Sequence, residues 1–294
     1  MKQNLPKGSL ILASVILFSI ACKKSVDPPS NTNPGGTVQH DTTLTAPVVP
    51  YPVTPVQECN SAPNYGDSIL YPQPVSSTDF YVYPQNNAGI KGTYLSWPAG
   101  LIIDSKTGSI DLTKSETGER FSVAFVKDGT SDTCMSQLII AGAAYMDSVY
   151  ELSVSDTTSA PYFNANPYSP PVCQGNQGPG CQFDYNDYAR RHGIEIDQKT
   201  GFIDLKKTMK NNPFGPMPFN GEYIITTIYY KLNDQSNNAP QNIQVKLVYY
   251  NRKSDIPQDV LAQVSNNITN TLGNTLLDTG PSPRPPLIII VRTK

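Results

Sequence analysis

Thiols, imidazoles and carboxylates are the groups from which this chain could build chemistry: it has five cysteines and two histidines beside 24 acidic residues. Two histidines exclude a His-rich metal centre, and no Cys-x-x-Cys spacing offers a zinc site instead. His192 follows Arg190 and Arg191. A catalytic histidine needs a nucleophile and an orienting acid; no G-x-S-x-G element supplies them, so His192 reads as an exposed loop residue. His40 falls in a Pro/Thr-rich stretch and reads as inert. The carboxylates are numerous enough for a glycosidase pair, yet nothing in their spacing brings two together. The tyrosines say more. Of 17, Tyr162, Tyr168, Tyr185 and Tyr188 crowd into one Asn/Pro-rich insertion with Phe163 and Phe183. Loop tyrosines offer rigid contact area with a polar tip, suited to protein or glycan surfaces. Packing against a sheet edge is the competing reading. Trp97, just before Pro98, reads as core or edge packing.

The elements that must position these residues come from a repeat. Gly100 to Leu112 reads GLIIDSKTGSIDL and Gly193 to Leu205 reads GIEIDQKTGFIDL. Further similarity surrounds the pair: Gly118-Glu119 before FSVAFV matches Gly221-Glu222 before YIITTIYY, and Ser61-Ala62-Pro63 matches Ser159-Ala160-Pro161. A conserved order with drifting offsets is what loop insertions between two tandem copies produce. Within each motif, apolar residues alternate on both sides of a polar turn, a hairpin pattern. Asp104 and Asp197 open the turn, where a short carboxylate accepts nearby backbone N–H bonds. Gly108 and Gly201 suit its left-handed closing position. Further strands read as Phe121–Val126 and Gln137–Ala141, then Tyr223–Tyr230 and Gln241–Tyr249. Short strands with turn signals and almost no helical period predict an all-β fold of two tandem β-sandwiches.

The pattern G-L-x-I-D-x-x-T-G-x-I, followed by a Gly-led strand and a closing strand, resembles cadherin-like and Ig-like bacterial surface domains. The resemblance implies an Ig-like Greek-key sandwich and a role in adhesion, spacing or glycan contact rather than catalysis. It also raises calcium, which cadherin repeats hold at their junctions. Asp234-Gln235-Ser236-Asn237-Asn238-Ala239-Pro240 is similar to the linker that ends in Asn-Ala-Pro. However, it lies between two strand-like runs, where a hairpin turn is expected. Calcium takes about six or more oxygens, and no converging set is visible.

The N-terminus supplies an address. Lys2 and Lys7 precede an apolar run from Leu10 to Ile20, the layout of a secretory signal and too short for the ~20 residues of a membrane span. Ala21-Cys22 followed by Lys23-Lys24-Ser25 resembles the lipobox of bacterial lipoproteins, with Ser19 where that family usually has Leu. The resemblance implies cleavage before Cys22, acylation (palmitate among the chains) and attachment to the outer membrane of a Gram-negative-type envelope. The stretch from Lys23 to Val56 is rich in Pro, Thr, Ser and Asn, cannot bury a core, and reads as a tether. Cys59, Cys134, Cys173 and Cys181 then remain as disulfide candidates in an oxidising compartment. Cys173 and Cys181 bracket a flexible QGNQGPG and are the first pairing expected, which leaves Cys59 for Cys134.

Near the C-terminus, Val260, Leu261, Val264, Ile268 and Leu272 recur at helical spacing after Pro257, with Ser254 or Asp255 as cap and Gly273 as stop. Leu287–Val291 is a continuous apolar run of strand length, expected to be buried on both faces and to join a sheet. The expected organisation is signal 1–21, tether 22–56, sandwiches 57–147 and 148–252, and a helix, Pro-rich loop and strand at 253–294. With 22 basic and 24 acidic residues, there is no electrostatic footprint for nucleic acid. The expected function is a membrane-anchored, non-enzymatic adhesion or glycan/protein-binding module. A structural spacer or accessory subunit of an envelope complex is the alternative, and a carbohydrate-active enzyme the third reading.

Overall fold

The computed structural model describes residues 61–293, except 77, 132, 155–156, 169–171, 174–179 and 273–284. The signal segment, Cys22, the tether, His40 and Cys59 lie outside the described residues. So does Gly273.

The chain is all-β, built from two sandwiches in series. The first contains β1 (Ile69–Leu70), β2 (Tyr81–Val82), β3 (Gly92–Trp97), β4 (Ile110–Asp111), β5 (Glu119–Lys127) and β6 (Thr133–Ile140). Its main sheet has the order β1-β6-β5-β3, and the ribbon β2-β4 faces it. The core lies between these layers: Phe121, Val123, Phe125, Leu138 and Ile140 from the sheet meet Leu101, Ile103, Ile110 and Leu112 from the repeat motif. Strand alternation decides this. Leu101 and Ile103 are buried while Ile102 between them is half-buried, because successive residues face opposite sides of a strand. Trp97 is buried as well.

The second sandwich opens with β7 (Ala143–Tyr145), β8 (Ser148–Glu151), β9 (Thr158–Ser159), β10 (Pro161–Phe163) and β11 (Gln182–Phe183). The short helix α1 (Tyr188–Arg191), β12 (Ile203–Asp204) and α2 (Leu205–Lys210) follow. It closes with β13 (Tyr223–Lys231), β14 (Gln241–Arg252), α3 (Gln258–Leu272) and β15 (Leu287–Thr293). Its main sheet runs β11-β13-β14-β15-β8, with ribbons β7-β10 and β9-β12 opposite. β15 lies parallel between β14 and β8. In the first sandwich the corresponding closing strand β6 pairs directly and in parallel with β1. The C-terminal strand therefore enters the sheet where the first sandwich has no insertion. As its continuous apolar run predicts, it is buried on both faces. Ile288 and Ile290 face the sandwich core, and Leu287, Ile289 and Val291 face Val260, Leu261, Val264 and Ile268 of α3. Buried Asp147 fixes this corner, accepting bonds from Asn267 Nδ2 at 2.6 Å and Leu287 N at 2.9 Å.

The two repeat motifs fold alike. Asp104 Oδ1 accepts from the N–H groups of Lys106 and Thr107 and from the Thr107 hydroxyl at 2.9, 2.7 and 3.0 Å. Asp197 repeats this with Lys199 and Thr200 at 2.9, 2.8 and 2.9 Å. Those bonds stabilise the anion, so both carboxyls are held below the usual range, with the threonine N–H as the leading cause. Gly108 and Gly201 close the turns at φ 71° and 76°. A Cβ on either would meet an aromatic ring, Tyr94 at 2.6 Å or Phe183 at 2.8 Å. The carbonyl of each glycine accepts a buried tyrosine hydroxyl, Tyr65 at 2.7 Å and Tyr145 at 2.6 Å. The Gly-Glu match also holds, since Gly118 N donates to Ile140 O and Gly221 N to Tyr249 O.

The Ser-Ala-Pro match does not survive. Ser159 pairs with Ile203 as Val82 pairs with Ile110, so Ser159 stands in the place of Val82, not Ser61. Three shared small residues carry too little information to fix an alignment when the strand itself is paired by backbone.

Candidate functional site

The two sandwiches differ most at one sheet edge. In the first, β3 pairs with β5 over six residues, from Gly92↔Lys127 to Trp97↔Ser122. In the second, β11 reaches only Tyr230 and Lys231 of β13. The chain then leaves the sheet and forms α1 in place of a longer strand. Asp184 directs that departure. Its backbone is left-handed at φ 46°. Its fully buried carboxylate accepts from Ala189 N at 2.8 Å and Arg190 N at 3.0 Å, using both oxygens. Burial raises its carboxyl above the usual range, against the lowering effect of those N–H bonds. Asp187, also left-handed at φ 57°, holds the Arg190 guanidinium at 3.0 Å. Gln198 Nε2 ties the turn to the second repeat motif, donating to Asp184 O and Asp187 Oδ1, both at 3.0 Å.

On the opposite side, α2 is capped by Asp204, whose carboxylate accepts from Lys207 N at 2.9 Å. Buried Thr208 Oγ1 accepts from Glu195 N at 2.9 Å, which pins the helix to the motif strand. The chain after α2 runs through Asn211 and Asn212, the latter left-handed at φ 52°. Asn211 Nδ2 donates to Gly193 O at 3.2 Å and joins the two sides.

Between them lies a cavity of about 510 Å³ whose polar walls are Arg190, Arg191, His192, Asn211, Asn212 and Thr226. Pro213 and the sheet edge at Ile224 and Ile225 supply its apolar part. The Thr226 hydroxyl is buried without a hydrogen-bond partner, although Thr226 as a residue is 1% exposed. No carboxylate, cysteine or serine is in the wall. His192 Nδ1 lies 2.6 Å from Tyr188 O. A carbonyl only accepts, so Nδ1 carries the proton and Nε2 is the other ring nitrogen left to bond. An exposed loop histidine was the sequence expectation; the residue is half-buried and closes α1, because the short helix returns its ring against Tyr188.

The tyrosines split. Tyr168 and Tyr185 are 68% and 38% exposed. Tyr162 and Tyr188 are buried, so they are not surface contacts: Tyr162 of β10 packs in the sandwich core and its hydroxyl reaches Glu119 Oε1 at 3.4 Å, while Tyr188 opens α1 with its ring against Tyr229 and His192. Tyr185, Tyr188 and His192 are nevertheless connected. Ring centroids run from Tyr185 to Tyr229 at 6.4 Å, Tyr229 to Tyr188 at 5.8 Å and Tyr188 to His192 at 4.5 Å. The Lys231 ammonium sits 4.9 Å over the Tyr185 ring. This aromatic row leads along the sheet edge from an exposed tyrosine to the cavity wall. Sequence reading missed Arg190, Arg191, Asn211, Asn212 and Asp184. Arg-Arg-His ahead of the second motif was the available signal, but the left-handed turns that bring it opposite Asn212 leave no such trace.

Cys173 and Cys181 form a disulfide with Cα atoms 5.3 Å apart, the first pairing expected. Cys134 is disulfide-bonded too. The Asp234–Pro240 segment is the hairpin loop between β13 and β14, since Tyr230 pairs with Gln241. Asp234 Oδ1 accepts from Ser236 N at 2.8 Å, and Oδ2 is buried without a partner. One free carboxylate oxygen does not fit calcium: among the described residues no three His, Cys, Asp or Glu side chains converge, and the ion takes about six or more oxygens. The loop instead touches the first sandwich, where Gln73 Nε2 donates to Gln235 O at 2.8 Å and Asn237 Nδ2 to Gln73 Oε1 at 2.7 Å. The junction is completed by the Tyr230 hydroxyl, 2.5 Å from Thr117 Oγ1 and accepting from Ala143 N at 3.0 Å.

Among the described residues no helix is long and apolar enough to cross a membrane. No family model and no curated protein matches the chain. Similar solved structures include human protocadherin-24 EC1-2, at 9% identity over 64% of this chain and 98% of that one, with TM-score 0.21. Drosophila N-cadherin EC1-4 follows at 10% identity, 65% and 50% coverage and TM-score 0.20. A SusE-like surface-located polysaccharide-binding protein from the Bacteroides thetaiotaomicron heparin utilisation locus has 11% identity, 63% and 34% coverage and TM-score 0.19. At these TM-scores the overlaps bear no weight of their own, and the all-β sandwich assignment rests on the sheets described above.

Proposed function

We propose that this chain is a non-enzymatic binding module of the cell envelope, held at the outer membrane by acylated Cys22 and lifted from it by the segment ending near Val56. Two tandem units, the expected boundary at 147 moved back so that the second begins at Ala143 and is completed by the C-terminal strand, carry a ligand-contact edge on the second unit. The observation that supports this most is that edge: a cavity walled by cations and amides, reached by an aromatic row that begins at exposed Tyr185. Such a mixture of aromatic area and convergent polar groups is the composition of a recognition site.

The test is a glycan array probed with the full-length chain in detergent micelles. Binding that drops at least fivefold in Tyr185→Ala is expected. No retained glycan, together with unchanged behaviour of a Tyr168→Ala/Tyr185→Ala variant, would return the protein to the spacer reading. One observation favours that second reading: the sandwiches are joined by direct hydrogen bonds at Thr117, Tyr230 and Gln73, a stiff connection suited to holding parts at a distance. Labelled palmitate should mark the wild type and not Cys22→Ser.

A further inference from the structure

We infer that the cavity beside β13 binds an acidic sugar, a ring carrying one carboxylate among several hydroxyls. The inference rests on the binding-module reading and names the ligand class of the same edge.

Charge comes first. Arg190 and Arg191 stand in the wall without a carboxylate beside them there. Arg190 is paired with Asp187 through one terminal nitrogen, NH1. A guanidinium presents five N–H donors in a rigid fork, so most of its donor capacity is uncommitted. Arg191 forms no ion pair with any described residue. A planar fork matches a carboxylate with two parallel bonds, which a neutral hydroxyl cannot reproduce.

The remaining groups then call for hydroxyls. Asn212 offers an amide with both donors and an acceptor. Pro213 and Ile224 give a small apolar floor for the face of a ring. The volume of about 510 Å³ lies within the range of small-molecule pockets, roughly 300–1,000 Å³.

An acidic peptide added as an extra strand is the rival occupant. It needs a run of free edge backbone. Here Thr226 and Thr227 are buried and α1 packs along β13, so only the short stretch from Ile224 to Thr226 borders the cavity. That is too little for a ladder, and the sugar is favoured.

Full-length protein in detergent micelles should be titrated by calorimetry with tetragalacturonate and with its methyl ester, in which each carboxylate is replaced by a neutral ester. The acid is expected to bind at least tenfold more tightly than the ester, with the difference shrinking at high salt. Arg191→Gln should abolish the preference, and Asn212→Ala should weaken the acid by three- to tenfold. Thermal melts of each variant, matching wild type, separate lost contacts from lost folding. Equal binding of acid and ester would overturn the inference while leaving the binding-module reading intact, as would an unaffected Arg191→Gln. Tighter binding of an oligoglutamate than of the uronate would overturn it in favour of the peptide. No binding of either sugar, with neutral glycans still retained on the array through Tyr185, would overturn the inference alone; no retention of any glycan would take the reading down with it.

Discussion

The two sandwiches carry the same turn and opposite edges. Each has an Asp-x-x-Thr-Gly turn locked by three bonds to one carboxylate oxygen. Each sets an aromatic ring under the closing glycine and a tyrosine hydroxyl on its carbonyl. Beyond that shared centre they diverge. The first fills its sheet edge with the six residues of β3; the second spends two on β11 and gives the rest to α1. Tyr94 faces Phe125, whereas Phe183 faces Tyr230, two positions farther along when the Gly-Glu pairs are aligned. An even slip keeps every side chain on its own face, so the edge could move without turning the core inside out. The hairpin keeps its shape because its alternating apolar residues and closing glycine are buried in each core. The edge tolerates much, and the space it vacates became the cavity.

Tyr230 belongs to both sides of this comparison, and its loss should be the largest effect. Its ring stacks on Phe183 at 5.5 Å and its hydroxyl joins Thr117 and Ala143. Tyr230→Ala should cost about 3–5 kcal/mol, as for other buried aromatic truncations. Tyr230→Phe should cost about 1–3 kcal/mol through the unpaired buried N–H and leave the core intact. Urea denaturation checks both. If Tyr230→Phe matches wild type, the hydroxyl bonds to Thr117 and Ala143 contribute nothing to the junction.

The turns provide the next test. Gly108→Ala and Gly201→Ala each place a Cβ against a ring in a left-handed position. Left-handed strain of about 1–2 kcal/mol adds to overpacking of about 1–3 kcal/mol. Similar losses in the two variants are expected from denaturation curves. A large difference would show that the repeats are alike in shape and unlike in energy.

Acidity should separate them more gently. The depressed carboxyls of Asp104 and Asp197 stabilise the fold above the unfolded carboxyl value of about 3.9, and that contribution is lost as pH falls through the folded value. Raised Asp184 runs the other way: its contribution is fully present below about 3.9 and is lost as pH rises through its folded value. Asp104→Asn/Asp197→Asn should therefore flatten the acid limb of a Tm-against-pH profile, below the unfolded value. Asp184→Asn should flatten the limb above it, and only in the second sandwich. The smallest effect is expected from Tyr185→Ala, within about 0.5 kcal/mol of wild-type stability as for other surface changes. A larger loss in a thermal melt would mean that Tyr185 serves packing rather than contact.

The sequence by itself determined the repeat, the hairpin at its centre, the strands on either side and the burial of Leu287–Val291 on two faces. These follow from local rules: alternation sets which side chain faces the core, and a short carboxylate three residues before a threonine and four before a glycine sets the turn. The pairing of Cys173 with Cys181 was legible for the same reason, since only a short loop separates them. Only the tertiary structure decided the rest. Whether Ser159 aligned with Ser61 or Val82 depended on backbone pairing with a strand more than forty residues away. Whether a tyrosine was core or surface depended on which layer closed over it, so Tyr162 and Tyr188 went inside and Tyr168 and Tyr185 did not. The cavity depended on both. Arg190, Arg191 and His192 stand opposite Asn212 because Asp184 turns the chain off the sheet through bonds to Ala189 N and Arg190 N, and whether that carboxylate is buried depends on the layers packed over it.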